Sequence, residues 1–152
     1  MQRPPSIVSF ERLYLASMML GLANTALGWQ AREDVLSANP AVRGNPQVQA
    51  MLGWMLPAAT VVGLAMSLLL WFLVARRGSF IAKWIVVIFA GLGVLGAIGV
   101  VLTLVRGLSP NVIVSGLGLV TTALSIAAAA MLFRSDALPW FGETPEFEET
   151  VQ

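Results

Sequence analysis

The chain has 152 residues, of which 57% are hydrophobic and 11% charged, with a formal net charge of +1 at pH 7 and a mean hydropathy of +0.81. Soluble domains carry about 25% charged residues, so the composition excludes a soluble enzyme, a nucleic-acid-binding domain and a disordered regulator, and points to an integral membrane protein. Cysteine and histidine are both absent, which removes disulfides, thiol chemistry, histidine proton relays and the usual ligands of zinc, haem and iron–sulfur centres; no catalysis, metal or cofactor is expected.

Crossing a hydrocarbon core takes about 20 apolar residues, and four segments reach that length. The first runs from about Ile7 to Trp29, with Glu11 and Arg12 near its start. An acidic residue at the head of the run and the lack of a convincing small-x-small site after it argue for a retained helix over a cleaved signal. A long connection over about 30–50 follows, rich in turn formers: Asn39-Pro40 and Gly44-Asn45-Pro46. Within it Ala31 to Ala38 suits one or two helical turns before Pro40 stops them. The second span is expected over about 51–75, the third over 84–105 and the fourth over 112–133, joined by a basic turn around Arg77-Gly78-Ser79 and a tight loop containing Ser109-Pro110. Residues 1–135 thus form one four-helix membrane domain, and 136–152 an acidic, mobile or surface-bound tail.

Orientation follows from the basic residues of the short loops. Arg3, Arg12, Arg76, Arg77, Lys83 and Arg134 share one side, and Arg32, Arg43 and Arg106 the other, so both termini are expected in the cytoplasm. Trp29, Trp54, Trp71, Trp84 and Trp140 all fall near span ends, where an indole favours the membrane interface.

Each span carries small or polar residues at three-four spacing, which places them on one face. The first has Glu11, Tyr14, Ser17, Gly21, Asn24 and Gly28; the second Thr60, Gly63 and Ser67; the third Gly93, Gly96 and Thr103; the fourth Ser115, Gly118, Thr122, Ser125 and Ala129. With little hydrophobic drive between helices in lipid, such residues serve close packing and interhelical hydrogen bonds. The faces are therefore read as the inner surface of the bundle, the alternative being a polar path for a substrate or ion. Asn24 is expected to hydrogen-bond a seam hydroxyl such as Thr122. Glu11 is the only acidic residue close to a span, and an ionisable group near the membrane is a functional candidate; the packing alternatives are an interfacial ion pair with Lys83, which would staple span one to span three, or snorkelling of the carboxylate to water.

The opening Arg3-Pro4-Pro5-Ser6 and the second loop, Arg77-Gly78-Ser79-Phe80-Ile81-Ala82-Lys83-Trp84, together with the layout, resemble small four-helix inner-membrane proteins of bacteria. The resemblance implies a multi-pass bundle in the inner membrane and brings no site residues with it. Small multidrug-resistance transporters are also four-helix proteins, but they are shorter and hold a carboxylate well inside the first span. The expected function is therefore a non-catalytic accessory or scaffold subunit, packed in the lipid bilayer against another membrane protein or against itself, with no nucleic-acid partner. The alternative is a small proton-coupled transporter or channel using Glu11 and the polar seam, and a third reading is a lipid- or quinone-binding protein using grooves between the spans.

Overall fold

The computed structural model describes residues 3–108 and 111–143. Among these the regular elements are all helical: α1 (Pro5–Leu27), α2 (Trp29–Ala38), α3 (Pro40–Arg43), α4 (Pro46–Arg77), α5 (Phe80–Val105) and α6 (Val112–Met131), followed by a 3-10 turn, Leu138–Phe141. Four of them, α1, α4, α5 and α6, are long and apolar enough to cross a membrane.

Local chemistry sets the ends. Pro5 lies in the first turn of α1, where a missing N–H costs nothing and φ is already helical. The Asn45 side chain accepts from the backbone N–H groups of Gln47 and Val48, so α4 starts at Pro46 rather than near residue 51. Asn111 does the same for α6 through Ile113 and Val114, at 3.0 and 3.2 Å. Ser79 caps α5 by accepting from Ala82. At the end of α4, Gly78 adopts the left-handed conformation at φ 57° and Ser79 N–H donates back to the Leu73 carbonyl at 3.1 Å, the glycine-centred stop of a helix. Arg76 and Arg77 fill the last turn of α4, where cations meet the negative end of the helix dipole. The connection after α1 is largely helical, α2 extending the expected turns to a ten-residue helix that ends before Pro40.

The four long helices form an up-down-up-down ring. α1 packs along α6, α6 along α5, and α4 touches both α1 and α5; α1 and α5 stand diagonally opposite. The buried core sits at one end of the ring. Ile7 and Phe10 of α1, Leu70, Val74 and Ala75 of α4, Ala82 and Val86 of α5, and Ala128 and Leu132 around the end of α6 form a single cluster, completed by Ala137 and Phe141 from beyond α6. Toward the other end the contacts thin out. At Gly53 of α4 and at Gly91, Gly96 and Gly99 of α5, an added Cβ would meet nothing within 4 Å. Gly91, Gly96 and Gly99 of α5 therefore make no close approach to another described helix, and Gly96 is exposed instead of lining the inner face as expected.

Candidate functional site

Two places gather the polar residues. The first is the closed end. Lys83 sits in the second turn of α5, only 1% exposed. Its ammonium donates to both carboxylate oxygens of Glu143, at 2.9 and 2.7 Å, and lies 4.5 Å from the ring centre of Phe133 and 5.1 Å from that of Phe141. A buried cation needs a counter-charge and further partners to offset lost hydration, and here a carboxylate and two aromatic faces supply them. The segment that delivers Glu143 is itself anchored. Trp140 Nε1 donates to the Val74 carbonyl at 3.0 Å, and the Trp140 carbonyl oxygen lies where a Cβ on Gly78 would have to go. The Ser6 N–H donates to Asp136 Oδ2 at 3.0 Å, and this bond, with Arg134 nearby, holds the Asp136 carboxyl below its ordinary pKa.

The expected Glu11–Lys83 pair does not form. Glu11 is instead held by Arg3 at 2.8 Å and faces Arg76 at 3.7 Å. The ring order gives the reason, because α1 and α5 are diagonal while the end of α4 is adjacent to α1. Glu11 thus ties the N-terminal segment and α4 together, and Lys83 ties α5 to the segment after α6.

The second place is a cavity of about 480 Å³ lined by residues of all four long helices and open to one side. Ser17 of α1, Thr60 and Ser67 of α4, and Thr121, Thr122 and Ser125 of α6 line it. None of these hydroxyls bridges to another helix as a donor. Ser17 donates to the Tyr14 carbonyl, Thr60 to Leu56, Ser67 to Gly63, Thr121 to Leu117, Thr122 to Gly118 and Ser125 to Thr121. Hydroxyls in helices bond back to the preceding turn in this way, so the polar seam is a lining and not interhelical glue. The cross-helix approach in the lining comes from the Tyr14 phenol, which reaches the Ser67 side chain of α4. Thr25 of α1 adds a further hydroxyl, the other lining residues are apolar or small, and none is a carboxylate or a cation.

The other expected seam residues are divided. Gly93 packs with its Cα face toward Thr122 Cγ2, 3.6 Å from an added Cβ, and Gly118 faces the Asn24 amide nitrogen at 3.5 Å. Asn24 does not hydrogen-bond Thr122; its Oδ1 is buried between α1 and α6 without a hydrogen-bond partner. Ser115 is half-buried near the start of α6 and is not among the cavity-lining residues. Glu146, Glu148 and Glu149 of the expected acidic tail, and the Ser109-Pro110 loop, lie outside the described residues. Sequence reasoning missed Trp140, Phe141 and Glu143 as packed residues and Asp136 as the acceptor for the Ser6 N–H. The one available signal was the apolar run Leu138-Pro139-Trp140-Phe141 inside an otherwise acidic stretch. Among the described residues no group of three potential metal-binding side chains occurs. The chain matches no family model, no curated protein and no solved structure.

Proposed function

We propose that this is a multi-pass membrane protein acting through helix association: an accessory or scaffold subunit of a bacterial inner membrane that packs against another membrane protein or a second copy of itself. Both termini and the α4–α5 turn face the cytoplasm in this reading, in keeping with the six basic residues of that side against three on the other.

The observation that supports association is the division of the glycines. Gly21, Gly28, Gly93 and Gly118 are met by neighbours within the chain, whereas Gly53 of α4 and Gly91, Gly96 and Gly99 of α5 face open space. Small residues on a lipid-facing helix let a second backbone come close. Native mass spectrometry of the protein drawn from its own membrane in mild detergent tests this. A second chain or second copy is expected in fixed ratio and is lost in the Gly96→Leu/Gly99→Leu variant; a bare monomer overturns the reading.

A transport function draws on the hydroxyl-lined cavity. Against it, Glu11 is not among the lining residues and is engaged by Arg3 and Arg76. Under the association reading, Glu11→Gln leaves the complex intact and reconstituted vesicles show no proton-coupled flux in either form.

A further inference from the structure

We infer that the cavity between the four long helices is a binding site for one chain of a neutral lipid bearing a hydroxyl group, entered sideways from the bilayer between α4 and α5. The inference is independent of any protein partner.

Size and shape come first. A volume of about 480 Å³ lies within the range of ligand sites, roughly 300–1,000 Å³. Along α1 the lining runs from Tyr14 to Thr25, eleven residues apart and so about 16 Å at 1.5 Å per residue. That is a slot, suited to an extended chain more than to a compact solute.

Access is lateral. Ala59, Gly63 and Met66 of α4 and Phe89 of α5 line the cavity and are at the same time exposed on the surface of the bundle. The α1–α6 and α5–α6 walls are the closely packed ones, while α4 and α5 touch mainly near their connecting turn. In a bilayer such a side opening meets hydrocarbon, not water.

The lining then selects the chemistry. It contains no ionised group, so a charged ligand would be left without a counter-ion in a poorly solvated place. Six of the seven serine and threonine hydroxyls of the lining, all but Thr25, have their hydrogens engaged by carbonyls of their own helices, which leaves oxygen lone pairs for an incoming donor. A chain ending in a hydroxyl can donate to these oxygens; one ending in an ester, an acceptor only, cannot.

The test uses the full chain in phosphatidylcholine vesicles doped with a diazirine derivative of hexadecanol, photolysed and mapped by mass spectrometry. Adducts at the cavity residues Met18, Met66 and Thr121 are expected to saturate at low probe content, while those at the outward Leu95 and Ile98 rise in proportion to it. Unlabelled hexadecanol should compete for the saturable adducts about three- to tenfold better than methyl palmitate, the worth of one hydrogen bond. Gly63→Phe places a ring in the opening at a position where nothing within 4 Å obstructs a Cβ, and should abolish the saturable component. Val62→Phe, on the neighbouring residue that is 64% exposed, should leave it unchanged. Adducts that rise in proportion to probe at every position, or a saturable component that survives Gly63→Phe, overturn the site. Equal competition by the ester overturns the hydroxyl preference.

Discussion

Lys83 shows how much one residue's role depends on what reaches it. Removing Glu143 leaves an ammonium that is 1% exposed without its counter-charge. Breaking a buried pair from one side costs about 3–5 kcal/mol, discounted to roughly 1–3 kcal/mol because the Glu143 side chain remains 26% exposed and solvent-screened. Glu143→Gln is therefore expected to lower the unfolding midpoint in mild detergent clearly. The double variant Lys83→Met/Glu143→Gln should be less destabilised than the sum of the two single changes, since it leaves no orphaned ammonium. A strictly additive cycle would show that the ion pair contributes nothing. Asp136 adds a pH effect with a defined sign. Its folded pKa is depressed by the Ser6 N–H, so its contribution is present above the ordinary aspartate value near 3.9 and is lost as pH falls through the lower folded value. Acid should loosen the attachment of the segment after α6 to the start of α1, seen as faster proteolysis near residue 136, and Asp136→Asn should remove that part of the pH dependence.

At the scale of elements, the caps and glycines separate helix formation from helix packing. Asn45 and Asn111 each satisfy two N–H groups at the start of a long helix, and replacing either with alanine should cost about 1 kcal/mol. Gly78 combines a left-handed backbone with the close approach of Trp140. Gly78→Ala therefore strains the turn by about 1–2 kcal/mol and displaces Trp140 from Val74, which a change in tryptophan emission would report. Packing glycines behave differently according to their neighbours. Gly118→Leu must displace Asn24 and part α1 from α6, at a cost of about 1–3 kcal/mol or more. Gly96→Leu meets open space and should leave the isolated bundle's melting unchanged. Equal melting of both variants would contradict the packed α1–α6 contact.

Across the whole molecule, the core lies at the end of the ring that holds Ile7, Val74, Val86 and Leu132, so order is expected to fall away from it. With no cysteine in the chain, spin-label pairs can be introduced freely. A pair across α4 and α5 at Phe72 and Ile85 should give a narrow distance distribution, and one at Val62 and Leu95 a broader one that narrows when a partner or a lipid chain is bound. Local stability follows local burial, and equally narrow distributions at both levels would refute the division into a closed and an open end.

The four long helices and their approximate limits were legible in the sequence alone. Each is a run of apolar residues bounded by local stop and start chemistry, such as Asn45-Pro46, Gly78-Ser79 and Asn111, and such signals act within a few residues. The side-by-side order of the ring was not. Sequence spacing puts Glu11 and Lys83 at the same depth, and depth is all that spacing along a helix reports. Only the tertiary arrangement sets α1 diagonal to α5, hands Glu11 to Arg3 and Arg76, and brings Glu143 under Lys83 from sixty residues away. The polar seam divides on the same line. Periodicity placed Ser17, Ser67, Thr122 and Ser125 on inward faces, because a helix repeats every 3.6 residues. Whether inward faces close upon one another or stand around a cavity depends on how far apart the helix axes lie, a distance that no single helix encodes.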